Sequence, residues 1–452
     1  MSSAERNVDA LPLGALLLSR LSPWERLRAF VPYLGPAFLV SVGYMDPGNW
    51  ATNIAGGASF GYALLWVLLL SNLMALLLQT LAAKLGIVTG RTLAENCRDQ
   101  FSRPVTFGLW LIIEAAMLAT DLAELLGAAI GLQILFGLPL FPATLLAGLI
   151  VFLILSLYRF GFRHFEGAVI GLIATIGVCY VCEIVTAHNL IHWPAVVRGT
   201  FVPALPPRPA FALHAQSSLL MAIGMIGATV MPHNLFLHSG VIHTRVGQED
   251  NVDTPGREDV HTRKIVRFAI IDSILALNIA WLVNSAMIIV AAATFFEHKM
   301  AIDSIEVAYR TLKPLLGGAA PLLFGIALLA AGISSSVTGT LAGQMVMEGF
   351  LHREIPLWLR RLVTMLPALV VIYLMPRFGW GDANILVISQ VCLSLALPFA
   401  VIPLLLFTRR RDLMREHANR PLTNVFAVGV ASLILVLNGL LLWQTFGGPL
   451  PF

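Results

Sequence analysis

Eleven stretches of this chain are each long and apolar enough to cross a bilayer as a helix, which takes about 20 mostly apolar residues. They cover 31–57, 62–88, 105–136, 140–158, 165–187, 212–243, 265–296, 319–345, 356–376, 383–407 and 424–446. The runs are unbroken rather than alternating with period two, so helices are expected, not barrel strands. Composition excludes the alternatives. Hydrophobic residues make up 58% of the 452 and charged residues 12%, about half the charge a soluble domain carries. Disordered, fibrous and ordinary water-soluble classes are ruled out. The expected fold class is an all-α integral membrane protein, one membrane domain whose constant partner is the lipid bilayer. A net charge of +4, with no basic run interleaved with aromatics, argues against a nucleic-acid partner. The alternation over 302–316 predicts a short surface helix.

The four cysteines are Cys97, Cys179, Cys182 and Cys392. Cys179 and Cys182 form a C-x-x-C inside an apolar run and read as small buried hydrophobes rather than a redox or zinc pair. No disulfide framework and no resident cofactor are expected. Lys and Arg set the orientation. With 1–30 as a cytoplasmic N-terminal tail, 23 of the 29 fall on the cytoplasmic side and 6 outside. That places the C-terminus outside. Short tails and the lack of an N-x-S/T sequon point to a bacterial plasma membrane.

Two spans carry polar groups beside a mid-span proline. In span 1 the run is Gly43-Tyr44-Met45-Asp46-Pro47-Gly48-Asn49, and in span 6 it is Ala228-Thr229-Val230-Met231-Pro232-His233-Asn234. Pro47 and Pro232 each remove a backbone donor and clash with the preceding turn, and Gly48 loosens the first break further. Broken helices at membrane depth are tolerated where they line a cavity or are buried in protein. Interrupted helices at matching places in two halves point to a transporter binding site. The spacing predicts repeats of five spans, 31–187 and 212–407, joined by an extracellular loop over 188–211. Five is odd, so the repeats are inverted. Residues 408–452 add a cytoplasmic loop and span 11.

These motifs resemble the DPGN and MPHN signatures of the Nramp family of proton-coupled manganese and iron transporters. The resemblance extends over most of the chain through the blocks GYMDPGNWATNIAGGASFGYALLWVLLLSNLMA, TDLAELLGAAIG, LAGQMVMEGF and PLWLRRLVTMLP. It implies a LeuT-type inverted repeat with helices 1 and 6 broken, and import of Mn²⁺ or Fe²⁺, with Cd²⁺ and Co²⁺ also carried, by alternating access with protons. Residue chemistry agrees: Asp46 offers an anionic oxygen, Asn49 a neutral one and Met231 a soft thioether that favours transition metals over Mg²⁺ and Ca²⁺. The resemblance adds the carbonyls of Gly43 and Ala228, and Gln390 of span 10 when the outer side closes.

For the protons, Asp46 is expected to take and yield one. His233 is a relay candidate, since an unperturbed imidazole titrates near pH 6.5, although a hydrogen-bonded structural role fits equally. His238, about 140° further round the helix, cannot share its face. In span 3, Glu114 and Asp121 lie about 20° apart and Glu124 about 60° further, one acidic stripe. Arg360 and Arg361 at the start of span 9 are the expected partners, and the resemblance makes this set, with the two histidines, a proton route separate from the metal. Gly339 and Gly343 read as a close-packing G-x-x-x-G. Gln79 and Asn284 are given no role, nor are Asp272 and Glu183, which lie near span ends where solvation is cheap.

Two other functions fit these residues less well. A symporter of another substrate, such as an amino acid, would meet repulsion between Asp46 and a carboxylate. A membrane metalloenzyme would need H-E-x-x-H or a similar motif, and none occurs.

Overall fold

The structure, a computed structural model, describes residues 35–207, 209–212, 217–246, 257–300, 302, 305–379 and 381–445. The expected tail over 1–30, the first residues of span 1, and parts of the 188–211 and 244–264 connections lie outside the described residues.

Among the described residues every regular element is helical. Span 2 is Leu65–Thr89, span 3 Arg103–Phe136, span 4 Leu140–Ser156 and span 5 Phe162–Ala187. Span 7 is Arg257–Ala291 with a π turn to Phe296. Spans 8, 9, 10 and 11 are Ala319–Leu351, Leu357–Phe378, Asp382–Thr408 and Pro421–Thr445. Spans 1 and 6 are each in two pieces, Pro36–Met45 then Pro47–Phe60, and Ser218–Thr229 then Pro232–Val241. Three helix ends stop at a left-handed glycine, Gly90, Gly137 and Gly379, a conformation that costs glycine no Cβ clash. The surface helix expected over 302–316 forms as Ile305–Leu316 and packs on span 8. Two short helices of eight or more residues lie outside the expected elements. Leu93–Gln100 is started by a reciprocal cap between Thr92 and Glu95, and Trp193–Phe201 opens with Pro194 in its first turn.

Proline alone does not break a helix here. Pro367 and Pro376 in span 9, and Pro398 and Pro403 in span 10, sit inside continuous helices. What distinguishes the two breaks is an extended residue before the proline, Asp46 (φ −67°, ψ 163°) and Met231 (φ −90°, ψ 134°). That is the conformation a following proline favours. At Asp46 it is reinforced by the side chain, which caps the next helix by accepting from Asn49 N at 2.8 Å.

Helices at matching places in the two fives pack on each other: 1 on 6, 2 on 7, 3 on 8 and 4 on 9. This follows from two inverted copies meeting about an axis in the membrane plane. Spans 3 and 8 touch along most of their length, and Gly131 and Gly332 let them approach closely: a Cβ on either would meet the facing backbone within 3 Å. Span 11 stands outside the repeats but is keyed to them. Asn438 donates to the Ser394 carbonyl at 2.6 Å and accepts from its hydroxyl. Ser394 in turn lies against Gly227, one residue before Ala228 in span 6.

Asp272 and Glu183 are each 1% exposed, so the expectation that they are solvated at span ends is corrected. Asp272 is buried because it accepts from the backbone N–H of Gly35 (3.3 Å) and Ala37 (2.8 Å), the free donors at the start of span 1. Beside it Arg245, after span 6, reaches both carboxylate oxygens of Glu166 on span 5 at 2.5 and 2.7 Å. A Cβ on Gly35 would strike this pair. Spans 1, 5, 6 and 7 are therefore tied together at the Arg-rich end of the bundle.

Candidate functional site at the paired helix breaks

The unwound backbone of span 1 leaves carbonyls without a helical donor, and the break in span 6 faces it. Asn49, in the first turn after the span 1 break, joins the two. Its Nδ2 lies 2.7 Å from Asp46 Oδ1, 3.4 Å from Gly43 O and 3.2 Å from Ala228 O. Its Oδ1 accepts from Thr229 at 3.4 Å. Three of the oxygens expected around a cation thus converge on one point, marked by an amide that carries positive partial charge. Asp46, Asn49, Ala228 and Met231 are all 0% exposed. Gln390 completes the cluster from span 10, its Nε2 3.5 Å from Asp46 Oδ2, and a Cβ on Gly48 would overlap it. Met231 caps the second half of span 6, and Ala228 lies in the last turn of the first half.

Among the described residues no three His, Cys, Asp or Glu side chains gather where they could hold a metal ion. A cation at the breaks therefore meets one carboxylate and otherwise neutral donors. Several buried polar atoms around the breaks have no partner among the described residues: Gln390 Oε1, His233 Nδ1 and Asn234 Nδ2. An unmet buried polar group costs about 1–3 kcal/mol, and such a cost is tolerated where the group is held ready for something else. Asn234 was given no role from sequence, yet its amide lies where a Cβ on Gly43 would stand. Its place as the last letter of the second motif was the available signal.

Gln79 and Asn284 also support the span 1 break. Asn284 donates to Tyr44 O at 2.5 Å and accepts from Asn53 at 2.6 Å. Gln79 donates to the Tyr44 hydroxyl at 2.9 Å, and its Oε1 lies 3.0 Å from His238 Nδ1. His238 is thereby tied to span 2 and is separated from the role expected of His233. Trp50, fully buried, packs edge-on against Tyr180 and Phe324.

The acidic stripe of span 3 divides. Arg361 pairs with Asp121 at 2.6 Å and also donates to Ser336 at 3.0 Å. Arg360 pairs with Glu114 at 2.5 Å. Both arginines are buried in full, in the first turns of span 9. Glu124, 1% exposed, is in no ion pair among the described residues, and its Oε2 has no hydrogen-bond partner among them. It stands one turn beyond Asp121, past the reach of both guanidinium groups. The two glycines of span 8 do something other than bring backbones together. A Cβ on Gly339 would lie 3.0 Å from Glu124 Oε2, and one on Gly343 would lie 2.5 Å from Arg360 Nη2. They make room for charged side chains. The C-x-x-C splits as well, with Cys179 buried and Cys182 exposed.

The sequence profile of the Nramp family, described as natural resistance-associated macrophage protein-like, matches residues 37–444. A divalent metal cation transporter, MntH, of Deinococcus radiodurans is 44% identical over 445 residues, spanning 98% of this chain and 96% of its own. The crystal structure of a mutant of the manganese transporter of Eremococcus coleocola matches with a TM-score of 0.83 at 36% identity, over 95% of this chain and 91% of that one. A nucleobase-cation-symport-1 family transporter shares the fold alone, at a TM-score of 0.57 and 17% identity over 90% of this chain and 88% of its own.

Proposed function

We propose, from the premise that this chain belongs to the Nramp family, that it imports divalent transition-metal ions together with protons by alternating access. The observation that carries the reading is the convergence of Asp46 Oδ1, Gly43 O and Ala228 O on a single amide of Asn49, at the meeting of two broken helices. A bound ion replaces that amide's hydrogens, and rotation of the Asn49 side chain turns its oxygen inward. Met231 adds the soft donor that favours Mn²⁺, Fe²⁺, Cd²⁺ and Co²⁺ over the hard ions. Gln390 closes over the carboxylate from span 10.

Asp46 carries the proton. From there protons leave past Glu124 to the pairs Asp121–Arg361 and Glu114–Arg360, so metal and proton part at the site. Glu124, in no ion pair among the described residues, lies on span 3 between Asp121, which meets Arg361, and Gly127, which abuts Pro47, as a group that accepts and passes on a proton must. His233 completes the relay at the break. One divalent ion with one proton moves three charges, worth about 7 kcal/mol at 100 mV, enough to drive uptake against a steep gradient. The membrane is the bacterial plasma membrane, with the N-terminus cytoplasmic and the C-terminus outside, as the distribution of Lys and Arg favours.

Uptake of Mn²⁺ into proteoliposomes, with and without an inwardly directed pH gradient, tests this. Uptake that the gradient accelerates, with metal-dependent acidification of the lumen, is expected. Uptake indifferent to the gradient would remove the coupling, and amino-acid uptake without metal would replace the substrate.

A further inference from the structure

Spans 10 and 11 are pinned to each other mid-membrane by Ser394 and Asn438. Toward the Arg-rich end they leave a groove of about 390 Å³, lined by Ile402, Leu405, Leu406 and Arg409 of span 10 and by Asn424 and Val428 of span 11. Ile402 to Arg409 covers about 10 Å of helix, most of the roughly 15 Å that one leaflet's hydrocarbon occupies. Ile402, Leu406 and Val428 are open to the lipid face, at 42%, 40% and 55% exposure. The polar lining is confined to one end, where Arg409 closes span 10 and Asn424 lies in the first turn of span 11.

Two neighbouring arginines differ in how they are used. Arg410 is paired with Asp412 and donates to Gln100 at 2.8 Å. Arg409 has no carboxylate within ion-pair reach among the described residues, and it alone of the two lines the groove. A cleft that is apolar along its length, with a cation and an amide at its membrane-surface end, matches a molecule with a hydrocarbon chain and an anionic head. Basic pockets between membrane helices bind lipid head groups in this way.

We propose that this groove is a binding site for one anionic glycerophospholipid, its acyl chain along Ile402, Leu406 and Val428 and its phosphate at Arg409 and Asn424. A zwitterionic lipid fits the apolar part and offers the same phosphate, but the ammonium beside it offsets the charge match. The site is remote from the helix breaks, and the proposal does not depend on what the protein carries.

Native mass spectrometry of the purified full chain, titrated with phosphatidylglycerol or with phosphatidylcholine of the same chains, tests it. Wild type is expected to bind the first lipid about fivefold more tightly, the worth of one basic residue at a charged lipid surface. Arg409→Gln should abolish that preference, and Arg411→Gln, outside the groove, should retain it. Val428→Trp, which fills the groove at an exposed position, should weaken the bound lipid of both classes. Inorganic phosphate should not displace the lipid. Equal binding of the two lipids by wild type would overturn the proposal. So would equal effects of the Arg409 and Arg411 substitutions, which would indicate diffuse surface charge, or displacement by inorganic phosphate, which would indicate an anion site without a chain.

Discussion

Gly343→Ala is a small change with a calculable cost. The added Cβ would lie 2.5 Å from Arg360 Nη2 and 2.7 Å from Nε. Ordinary contact begins near 3.4 Å, so the guanidinium must move by roughly 0.9 Å. Arg360 is 1% exposed and cannot swing into solvent. Opening its 2.5 Å contact with Glu114 by that amount costs about 2 kcal/mol at an effective dielectric of 20. Replacing glycine by alanine within a helix returns about 0.5–1 kcal/mol. The net expectation is a loss of about 1 kcal/mol. Gly429→Ala in span 11, where a Cβ meets nothing within 4 Å, supplies the control and should stabilise. Thermal unfolding in detergent measures both. Adding Arg360→Met to Gly343→Ala should remove the penalty specific to the glycine, because the group it displaces is gone. If Gly343→Ala is as stable as Gly429→Ala, or if its penalty survives Arg360→Met, the claim that this glycine accommodates the ion pair is wrong.

The remaining predictions address transport. Asp46→Asn should abolish metal-linked proton entry and strongly reduce Mn²⁺ uptake in proteoliposomes; wild-type fluxes would remove Asp46 from both roles. Asp121→Asn and Arg361→Ala each leave a buried charge unpaired, a loss of about 3–5 kcal/mol in stability, and should lower proton flux more than Mn²⁺ affinity measured by calorimetry. Lost affinity with normal coupling would place the pair at the metal site instead. Met231→Ala should cost Mn²⁺ modestly and Cd²⁺ more, and admit Ca²⁺ or Mg²⁺, because selectivity is a difference of affinities; unchanged Mn²⁺ discrimination against excess Ca²⁺ in both Met231→Ala and Met231→Leu would leave the sulfur without a role.

What could be read from the chain follows from what is local. Apolar runs mark helices, and proline beside Asp46 or Met231 marks a break, because both effects act within a few residues. The pairing of Arg361 with Asp121 was accessible because helical spacing puts the acids on one stripe and Arg360-Arg361 at the start of span 9 offers the matching charge. Asp272 was misjudged because its partners, Gly35 and Ala37, lie more than 230 residues away, and distance from a span end says nothing about what packs over it. Gly339 and Gly343 fit a helix-packing motif, but the pattern cannot distinguish a facing backbone from a facing guanidinium. Glu124 shares the stripe and yet is left over, since angle around a helix does not include height along it. Asn234 and Gln79 were passed over because an uncharged amide in a span signals nothing until its neighbours are known.

The eleventh helix has a consequence for the working cycle. Two inverted copies of five helices exchange roles when the protein turns from one face of the membrane to the other, and only identical copies would make the two end states equal in energy. Asn438 grips Ser394, and Ser394 rests against Gly227 beside the span 6 break. The span 1 break, in the other copy, is held by Asn284 and Gln79 from within the ten helices rather than by an added one. An extra weight thus sits on one arm of the balance. The resting protein should favour one face before any ion gradient acts, and cutting the Asn438 contact should shift that preference without touching the ion's own ligands.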